Sequence, residues 1–292
     1  MYAFEYQKPE TQPQALGLAQ SLGGQYLAGG QSLVQAMKLR MSQPGTLIDL
    51  SGLTDLQGIE VGPNSVRIGA MTRHSQVADD ASLAAALPAL GVLAGGIGDP
   101  MVRNQGTLGG SLAYNDPSAC YPSAALALDA VIHTDRRDIA AADFFLGLYQ
   151  TALDGGELIR AVTFQRPLAA AYLKFKHPAS KLALVGVFVA QFKDRIRVGV
   201  TGAQACAFRA STIEAALQKS WTPQAAQSVQ LASADMMADI GDAAEWVFFG
   251  TRPEDPPCRI DFREGVPVHQ YMDVMATLDV DVMLAPLEDN RF

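Results

Sequence analysis

The sequence predicts an α+β fold in which a two-part α/β region is followed by an antiparallel sheet with helices on one face. Three observations predict it. Between residues 25 and 50, a strand, a glycine turn, a helix and a second strand follow one another, which is typical of parallel strands joined by a crossover helix. Short strands bounded by turn residues continue to Pro167. Beyond Pro167, three apolar segments separated by short turns indicate an antiparallel sheet.

The amino-terminal region is predicted as a parallel α/β unit. Alternating aromatic residues before Pro9 predict a short strand with one buried face. Thr11 can cap the helix that follows, and Gly23-Gly24 ends it. The predicted elements are a strand over residues 1–9, a helix over 11–22, a strand over 25–28, a helix over 32–41 and a strand over 46–50.

The remaining elements divide at Pro167. Before it we predict a hairpin of strands 58–61 and 66–68, helices within 77–93, a buried apolar segment over 122–131, a short helix over 143–149 and a strand over 157–164. After it we predict strands over 171–177, 182–191 and 196–201, with helices over 212–219 and 223–234. The predicted domains are therefore residues 1–56, 57–167 and 168–292.

Composition excludes several classes of function. The chain has 292 residues, is 49% hydrophobic, carries a net charge of −8 and has a pI near 5.0, so a nucleic-acid partner is not expected. Its longest apolar run, residues 182–190, is too short to span a membrane, and its first residues lack a secretory pattern. We therefore expect a cytoplasmic protein. Cys120, Cys206 and Cys258 are too far apart in sequence for a zinc or iron-sulfur motif, so no metal is expected in this chain.

Two segments, residues 27–33 and 106–112, carry paired glycines with a serine close behind, Ser32 and Ser111. One Gly-Gly is usually only a turn, but two such segments predict a single extended anion held from two sides by backbone N–H groups. Neither segment has the Gly-x-Gly-x-x-Gly spacing of a Rossmann fingerprint, and no Gly-Lys-Ser/Thr is present. Neutral donors alone suit an unreacting diphosphate such as that of FAD.

These residues and their surroundings resemble a known family. Residues 28–33, which read Ala-Gly-Gly-Gln-Ser-Leu, residues 102–111, which read Val-Arg-Asn-Gln-Gly-Thr-Leu-Gly-Gly-Ser, and residues 155–159 and 172–180 match motifs of the medium, flavin-binding subunit of molybdenum hydroxylases. That group includes carbon monoxide dehydrogenase, aldehyde and quinoline oxidoreductases and xanthine dehydrogenase. The resemblance covers roughly residues 1 to 210.

The resemblance implies a two-part FAD-binding domain of the PCMH type and a role in electron transfer. A large partner subunit would hold a molybdenum cofactor, a small one two [2Fe-2S] clusters, and this chain would pass electrons from the clusters to a terminal acceptor, within a heterotrimer or its dimer. No catalytic residue is implied here. The residues implied to hold the diphosphate and ribityl chain are Ala28, Gly29, Gly30, Gln31, Ser32, Leu33, Thr107, Leu108, Gly109, Gly110 and Ser111. Asp116 would lie nearby and Lys174 near the flavin ring.

Some positions depart from the family pattern, and other interpretations stay open. Cys120 stands where many relatives have a carboxylate, and Ser180-Lys181-Leu182 where many have Gly-Asp-Tyr. Without the resemblance, Lys174 would be read as a solvated lysine at a strand end. The alternatives are a self-sufficient FAD-dependent oxidoreductase of the peptidoglycan-reductase or alcohol-oxidase superfamily, and a non-catalytic nucleotide-binding subunit. The sequence carries no interpretation for residues 250–292.

Overall fold

The computed structural model describes residues 1–221. Their elements are, in order, β1 (Glu5–Gln7), α1 (Gln12–Leu22), β2 (Gln25–Leu27), α2 (Leu33–Lys38), β3 (Thr46–Asp49), β4 (Ile59–Val61), β5 (Ser65–Gly69), α3 (His74–Asp79), α4 (Ala81–Ala86), α5 (Pro88–Gly95), α6 (Pro100–Arg103), α7 (Leu108–Tyr114), α8 (Tyr121–Ala127), β6 (Val131–Thr134), β7 (Asp138–Ala140), β8 (Phe145–Gly147), β9 (Gln150–Thr151), β10 (Ile159–Gln165), β11 (Ala169–Lys176), β12 (Ala183–Gln191), β13 (Ile196–Thr201), β14 (Phe208–Arg209) and α9 (Ser211–Lys219). Short 3-10 turns connect some of them.

The first sheet has the strand order β1-β3-β2, and both pairings are parallel, as the crossover pattern predicted. Helix α1 begins after Thr11, whose side chain accepts a hydrogen bond from the Gln14 backbone N–H, and ends at Gly23 in the left-handed conformation, so both predicted caps are confirmed. The prediction of a buried aromatic face before Pro9 was wrong. Tyr2, Phe4 and Tyr6 are all exposed, and only Tyr6 lies within β1, whose three residues are too few to form a buried face.

The second sheet has the order β4-β5-β10-β6-β7 and is antiparallel throughout. It contains the predicted hairpin, β4 and β5, and the predicted strand near residues 157–164, which is β10. The predicted apolar segment over 122–131 is buried, mostly within α8, in the largest hydrophobic core. The predicted helix over 143–149 was wrong, because this segment forms β8 and the turn to β9. The turn is stabilised by the side chain of Asn115, which donates to Gly147 O and Gln150 O.

The third sheet, β11-β12-β13-β14, is antiparallel and confirms the predicted carboxy-terminal sheet. Helix α9 covers one face, as predicted, and packs against Val187, Val189 and their neighbours. The opposite face carries Phe188 and packs against α8. This contact is close: a Cβ atom at Gly199 of β13 would lie 2.0 Å from the backbone oxygen of Ser123 in α8. The third sheet is therefore joined rigidly to the region that precedes it.

Each of the three main sheets lies within one of the three predicted domains, while the domain boundaries themselves stay a prediction. The predicted helix over residues 223–234, Cys258 and the segment 250–292 lie outside the described residues. Within residues 1–221, every helix is too short or too polar to cross a bilayer.

Candidate functional site

One cavity of about 370 Å³ lies where the three sheets meet. Its walls include both glycine segments, the start of β10, and residues of and beyond β11. All thirteen site residues predicted from the sequence line it except Leu108, which is fully buried in the core: Ala28, Gly29, Gly30, Gln31, Ser32, Leu33, Thr107, Gly109, Gly110, Ser111, Asp116 and Lys174. The fold thus brings residues that are up to 146 positions apart in sequence to a single site.

The first glycine segment connects β2 to α2. Gly30 has a φ of +69°, a conformation that favours glycine, and it turns the chain towards Ser32 at the start of α2. Among the hydrogen bonds of residues 1–221, none is donated by the backbone N–H groups of residues 29 to 33 or by the Ser32 hydroxyl. Consecutive N–H groups without an acceptor, beside a cavity, are the type of donor set that suits an anion.

Leu33 has a second role at this segment. Its side chain is buried with Met37 and Leu47 in a small core beneath α2. Packing therefore anchors the end of the segment, while the backbone of the same residue faces the cavity side. The hydrophobic contact holds the N–H groups in place before any ligand binds.

The second glycine segment is built differently. Thr107 caps α7 by accepting a hydrogen bond from Gly110 N at 3.1 Å. The neighbouring N–H groups also have acceptors within the chain, since Leu108 N donates to Thr72 O and Gly109 N to Ala70 O. Ser111 N donates to the backbone oxygen of Thr107. The expectation that both segments offer free backbone donors therefore holds only for the first, and the second forms a rigid facing wall.

The two segments touch through their glycines. A Cβ atom at Gly29 would lie 2.1 Å from Gln105 O, and one at Gly110 would lie 3.5 Å from the Cβ of Ala28. The second segment also closely approaches the residue that follows β5, because a Cβ at Gly109 would lie 2.6 Å from the Cβ of Ala70. The glycine pairs are needed here for close approach of backbones as much as for their conformational freedom.

The third sheet supplies a cation to the same cavity. Lys174 of β11 donates from Nζ to Gly96 O at 2.6 Å and to Lys181 O at 3.1 Å, and lies 3.6 Å from Cys120 Sγ. It is not a solvated strand-end lysine. Asp116, at the far end of α7, accepts a hydrogen bond from Ser118 N and lines the cavity as predicted.

Lys181 and Leu182, which depart from the family pattern, also line the cavity. The Lys181 ammonium points away to Pro178 O at 2.8 Å, while its backbone oxygen contacts Lys174. Leu182 is 52% exposed. This end of the cavity is thus bordered by the apolar side chain of Leu182 and by the ammonium of Lys174, which hydrogen bonds hold in position.

The sequence did not identify His74 and Glu157, which line the cavity too. His74 is buried against Tyr121, and burial, reinforced by the charge of Arg103, lowers the pKa of His74 to about 4. The imidazole is therefore neutral at pH 7. A Cβ atom at position 106 would lie 2.6 Å from His74 Nε2, so the ring requires glycine there. That glycine was the one feature of the sequence that could have indicated the contact.

Glu157 belongs to a charged cluster with Arg137 and Asp154. Burial would raise the pKa of Glu157, but hydrogen bonds from Arg137, the Asp154 backbone and Thr134 outweigh burial and lower the pKa to about 2. The ionised carboxylate of Glu157 holds the residues just before β10 in place, beside the first glycine segment. No signal in the sequence paired Arg137 with Glu157.

The site's chemistry fits FAD. Five unpaired N–H groups and a serine hydroxyl suit a diphosphate, and the Lys174 ammonium, which lines the same cavity, suits a flavin ring that gains negative charge on reduction. A Cβ added at Gly29 or Gly109 would fill space that the facing backbones already occupy.

Comparison with known proteins agrees with this fit. Residues 2–166 match the family model described as the FAD binding domain in molybdopterin dehydrogenase. The chain is 35% identical to the carbon monoxide dehydrogenase medium chain of Hydrogenophaga pseudoflava, over 83% of this chain and 88% of that protein. It is 34% identical to the nicotine 6-hydroxylase medium subunit of Paenarthrobacter nicotinovorans, over 74% and 80% of the two chains.

Solved structures give the same result. A chain of carbon monoxide dehydrogenase from Hydrogenophaga pseudoflava, in a form lacking the Mo-pyranopterin moiety of the molybdenum cofactor, superposes with a TM-score of 0.74 at 32% identity, covering 83% of this chain and 94% of that one. Quinoline 2-oxidoreductase from Pseudomonas putida 86 shares the fold, with a TM-score of 0.72 at 23% identity. The subunit interpretation is supported and the self-sufficient alternative is not favoured. Both glycine segments lie at one cavity, and the family model matches more than half of this chain. The chain therefore belongs to the family of FAD-binding domains of molybdopterin dehydrogenases.

Proposed function

We propose that this chain is the electron-transfer subunit of a molybdenum hydroxylase, which takes electrons from [2Fe-2S] clusters of a partner subunit and passes them to a terminal acceptor. The observation that carries the proposal is the run of unpaired N–H groups in residues 29 to 33, facing a second glycine wall across one cavity. Bound FAD would supply the redox chemistry, because a flavin can accept and release electrons singly or in pairs.

The residues of the chain have distinct roles in this proposal. Residues 28–33 bind the diphosphate through the backbone and Ser32, while residues 107–111 form the opposite wall and offer the Ser111 hydroxyl. Asp116 lies near the polar chain of the cofactor. Lys174, fixed by Gly96 O and Lys181 O, places a positive charge at the ring end. The chain itself orients FAD and supports its reduced charge.

The proposal includes two partners in the cytoplasm: a large subunit with the molybdenum cofactor and a small subunit with the clusters, in a heterotrimer or its dimer. The names of the relatives support a multi-subunit assembly, since these are a medium chain and a medium subunit. The proposed domains remain 1–56, 57–167 and 168–292.

One preparation tests the proposal. The chain is purified from its native source, an absorption spectrum is recorded, and co-purifying subunits are identified on a gel. We expect a flavin spectrum, iron-sulfur absorbance and two further subunits. A lone yellow monomer that oxidises substrate would contradict the subunit role. A colourless chain without extractable FAD would contradict every flavin-based interpretation.

Substitutions in the two glycine segments test the assignment of the site. Gly30→Val and Gly110→Val should each abolish FAD retention, because Gly30 has positive φ and a Cβ at Gly110 would lie 2.9 Å from Thr107 Oγ1. Gly45→Val is the matched control, since a Cβ at Gly45 meets nothing within 4 Å. Full flavin occupancy in both site variants would show that the segments are misassigned.

A further inference from the structure

The ammonium of Lys174 has three contacts and three N–H donors. Two contacts are backbone oxygens, Gly96 O at 2.6 Å and Lys181 O at 3.1 Å, and the third is Cys120 Sγ at 3.6 Å. The ion pairs of residues 1–221 do not include Lys174. The carbonyl oxygens hold the ammonium in position without neutralising it, and its third N–H faces only a thiol, which is a weak acceptor.

The groups around Cys120 do not neutralise the positive charge of Lys174. Cys120 is 5% exposed and lines the cavity. The hydroxyl of Tyr172 is buried and interacts with Cys120. Burial, and then Cys120, raise the pKa of Tyr172 well above its ordinary value, so the phenol stays neutral.

The acids of the cavity are engaged elsewhere. Asp116 accepts a hydrogen bond from Ser118 N at 2.8 Å. Glu157 forms an ion pair with Arg137 at 3.0 Å. Lys174 is therefore a fixed cation at the cavity wall whose nearest side-chain partner is a single sulfur atom.

We propose that Cys120 is a positioning residue that keeps the charge of Lys174 uncompensated for the flavin ring. A carboxylate at position 120 would take the third N–H of the ammonium and cancel its charge. The thiol fills the same place, keeps the lysine side chain packed, and leaves both the proton and the charge available to a ligand. This inference rests on the proposed function, because it requires FAD in the cavity with its ring towards Lys174.

Sulfite is the probe for this charge. Sulfite adds reversibly to a flavin ring and bleaches its visible absorbance, and a positive charge beside the ring tightens the adduct. The full chain is loaded with FAD, and the FAD content and the Kd for sulfite are measured for wild type, Cys120→Asp, Cys120→Asn and Lys174→Gln. Cys120→Asn has the size and acceptor of the aspartate without its charge. Cys206→Asp is the control for a new carboxylate, because Cys206 lies outside the cavity lining.

We expect FAD retention in all variants, with sulfite binding weakened about tenfold or more by Cys120→Asp and by Lys174→Gln, since removing one unit charge near the ring costs at least that much. Cys120→Asn and Cys206→Asp should stay within about threefold of wild type.

The inference is overturned if Cys120→Asp binds sulfite like wild type, or if Cys120→Asn weakens sulfite binding as much as Cys120→Asp does. If Cys120→Asp does not fold, Lys174→Gln decides: an unchanged Kd would show that the charge does not reach the ring. A wild-type chain that binds no FAD would refute the proposed function itself, whereas FAD binding without an effect at Cys120 or Lys174 would refute only this inference.

Discussion

Replacing Gly29 by alanine should separate the two walls of the site. A Cβ atom at this position would lie 2.1 Å from Gln105 O and 2.7 Å from Gly106 Cα, whereas ordinary contact begins at 3.4 Å. Both obstacles are backbone atoms, which cannot rotate away. The first glycine segment must therefore withdraw by about 1 Å or more, a displacement large enough to misplace bound groups.

The expected loss follows from the hydrogen bonds that this displacement breaks. Charge-assisted hydrogen bonds are worth about 1.5 to 3 kcal/mol each, so losing one or two from the diphosphate should weaken FAD binding by about 3 kcal/mol, or about 100-fold in Kd. The assay is a titration of apoprotein with FAD, followed by the quenching of flavin fluorescence, with thermal unfolding recorded alongside.

Gly17→Ala is the matched control for this prediction. Gly17 lies in the interior of α1, is exposed, and a Cβ there would meet nothing within 4 Å. We expect unchanged FAD affinity and a gain of about 0.5 to 1 kcal/mol in the free energy of unfolding, because alanine favours helix. A Kd for Gly29→Ala within about threefold of wild type would refute the argument that the closeness of the walls positions the donors.

Three further predictions concern stability. Asn115→Ala should lower the free energy of unfolding by about 3 kcal/mol, because it removes the two hydrogen bonds that the buried Asn115 amide donates to the β8–β9 turn. Gly199→Ala should cost about 3 kcal/mol, since its Cβ would overlap the Ser123 oxygen and force β13 from α8. His74, whose pKa is lowered to about 4, and Glu157, whose pKa is lowered to about 2, stabilise the fold only while deprotonated. Stability from His74 should therefore fall as pH drops from 6.5 to 4, and that from Glu157 as pH drops from 4.5 to 2.

Each of these predictions has a control. Asn115→Gly keeps the left-handed conformation available at this position, where φ is +48°, so it isolates the loss of the two hydrogen bonds. Gly45→Ala serves as the uncrowded partner of Gly199→Ala. For the pH dependence, denaturant unfolding of His74→Gln and Glu157→Gln is compared with wild type at each pH. A difference in stability that does not change across these pH ranges would contradict the assigned charge states.

Much of the fold follows from local signals. The helix α1 was predicted with both caps because Thr11 and Gly23-Gly24 act through their own backbone and nearest neighbours. The third sheet was predicted because alternating apolar residues require burial on a face. The segment over residues 143–149 was misread as helix since its structure depends on Asn115, which is distant in sequence and donates to the turn from α7.

The sequence by itself determined the two glycine segments and the family, because glycine pairs and their neighbours are local features of the chain. Only the tertiary structure decided which segment keeps backbone N–H groups free to bind a ligand. Free N–H groups remain in residues 29 to 33, whereas those of residues 108 to 111 are bonded to the segment that follows β5 and to Thr107. The environment of Lys174 was decided in the same way, since its partners Gly96, Cys120 and Lys181 come from three separate parts of the chain. Residues that are distant in sequence become hydrogen-bond partners only when packing brings them together, so local sequence patterns do not reveal such pairs.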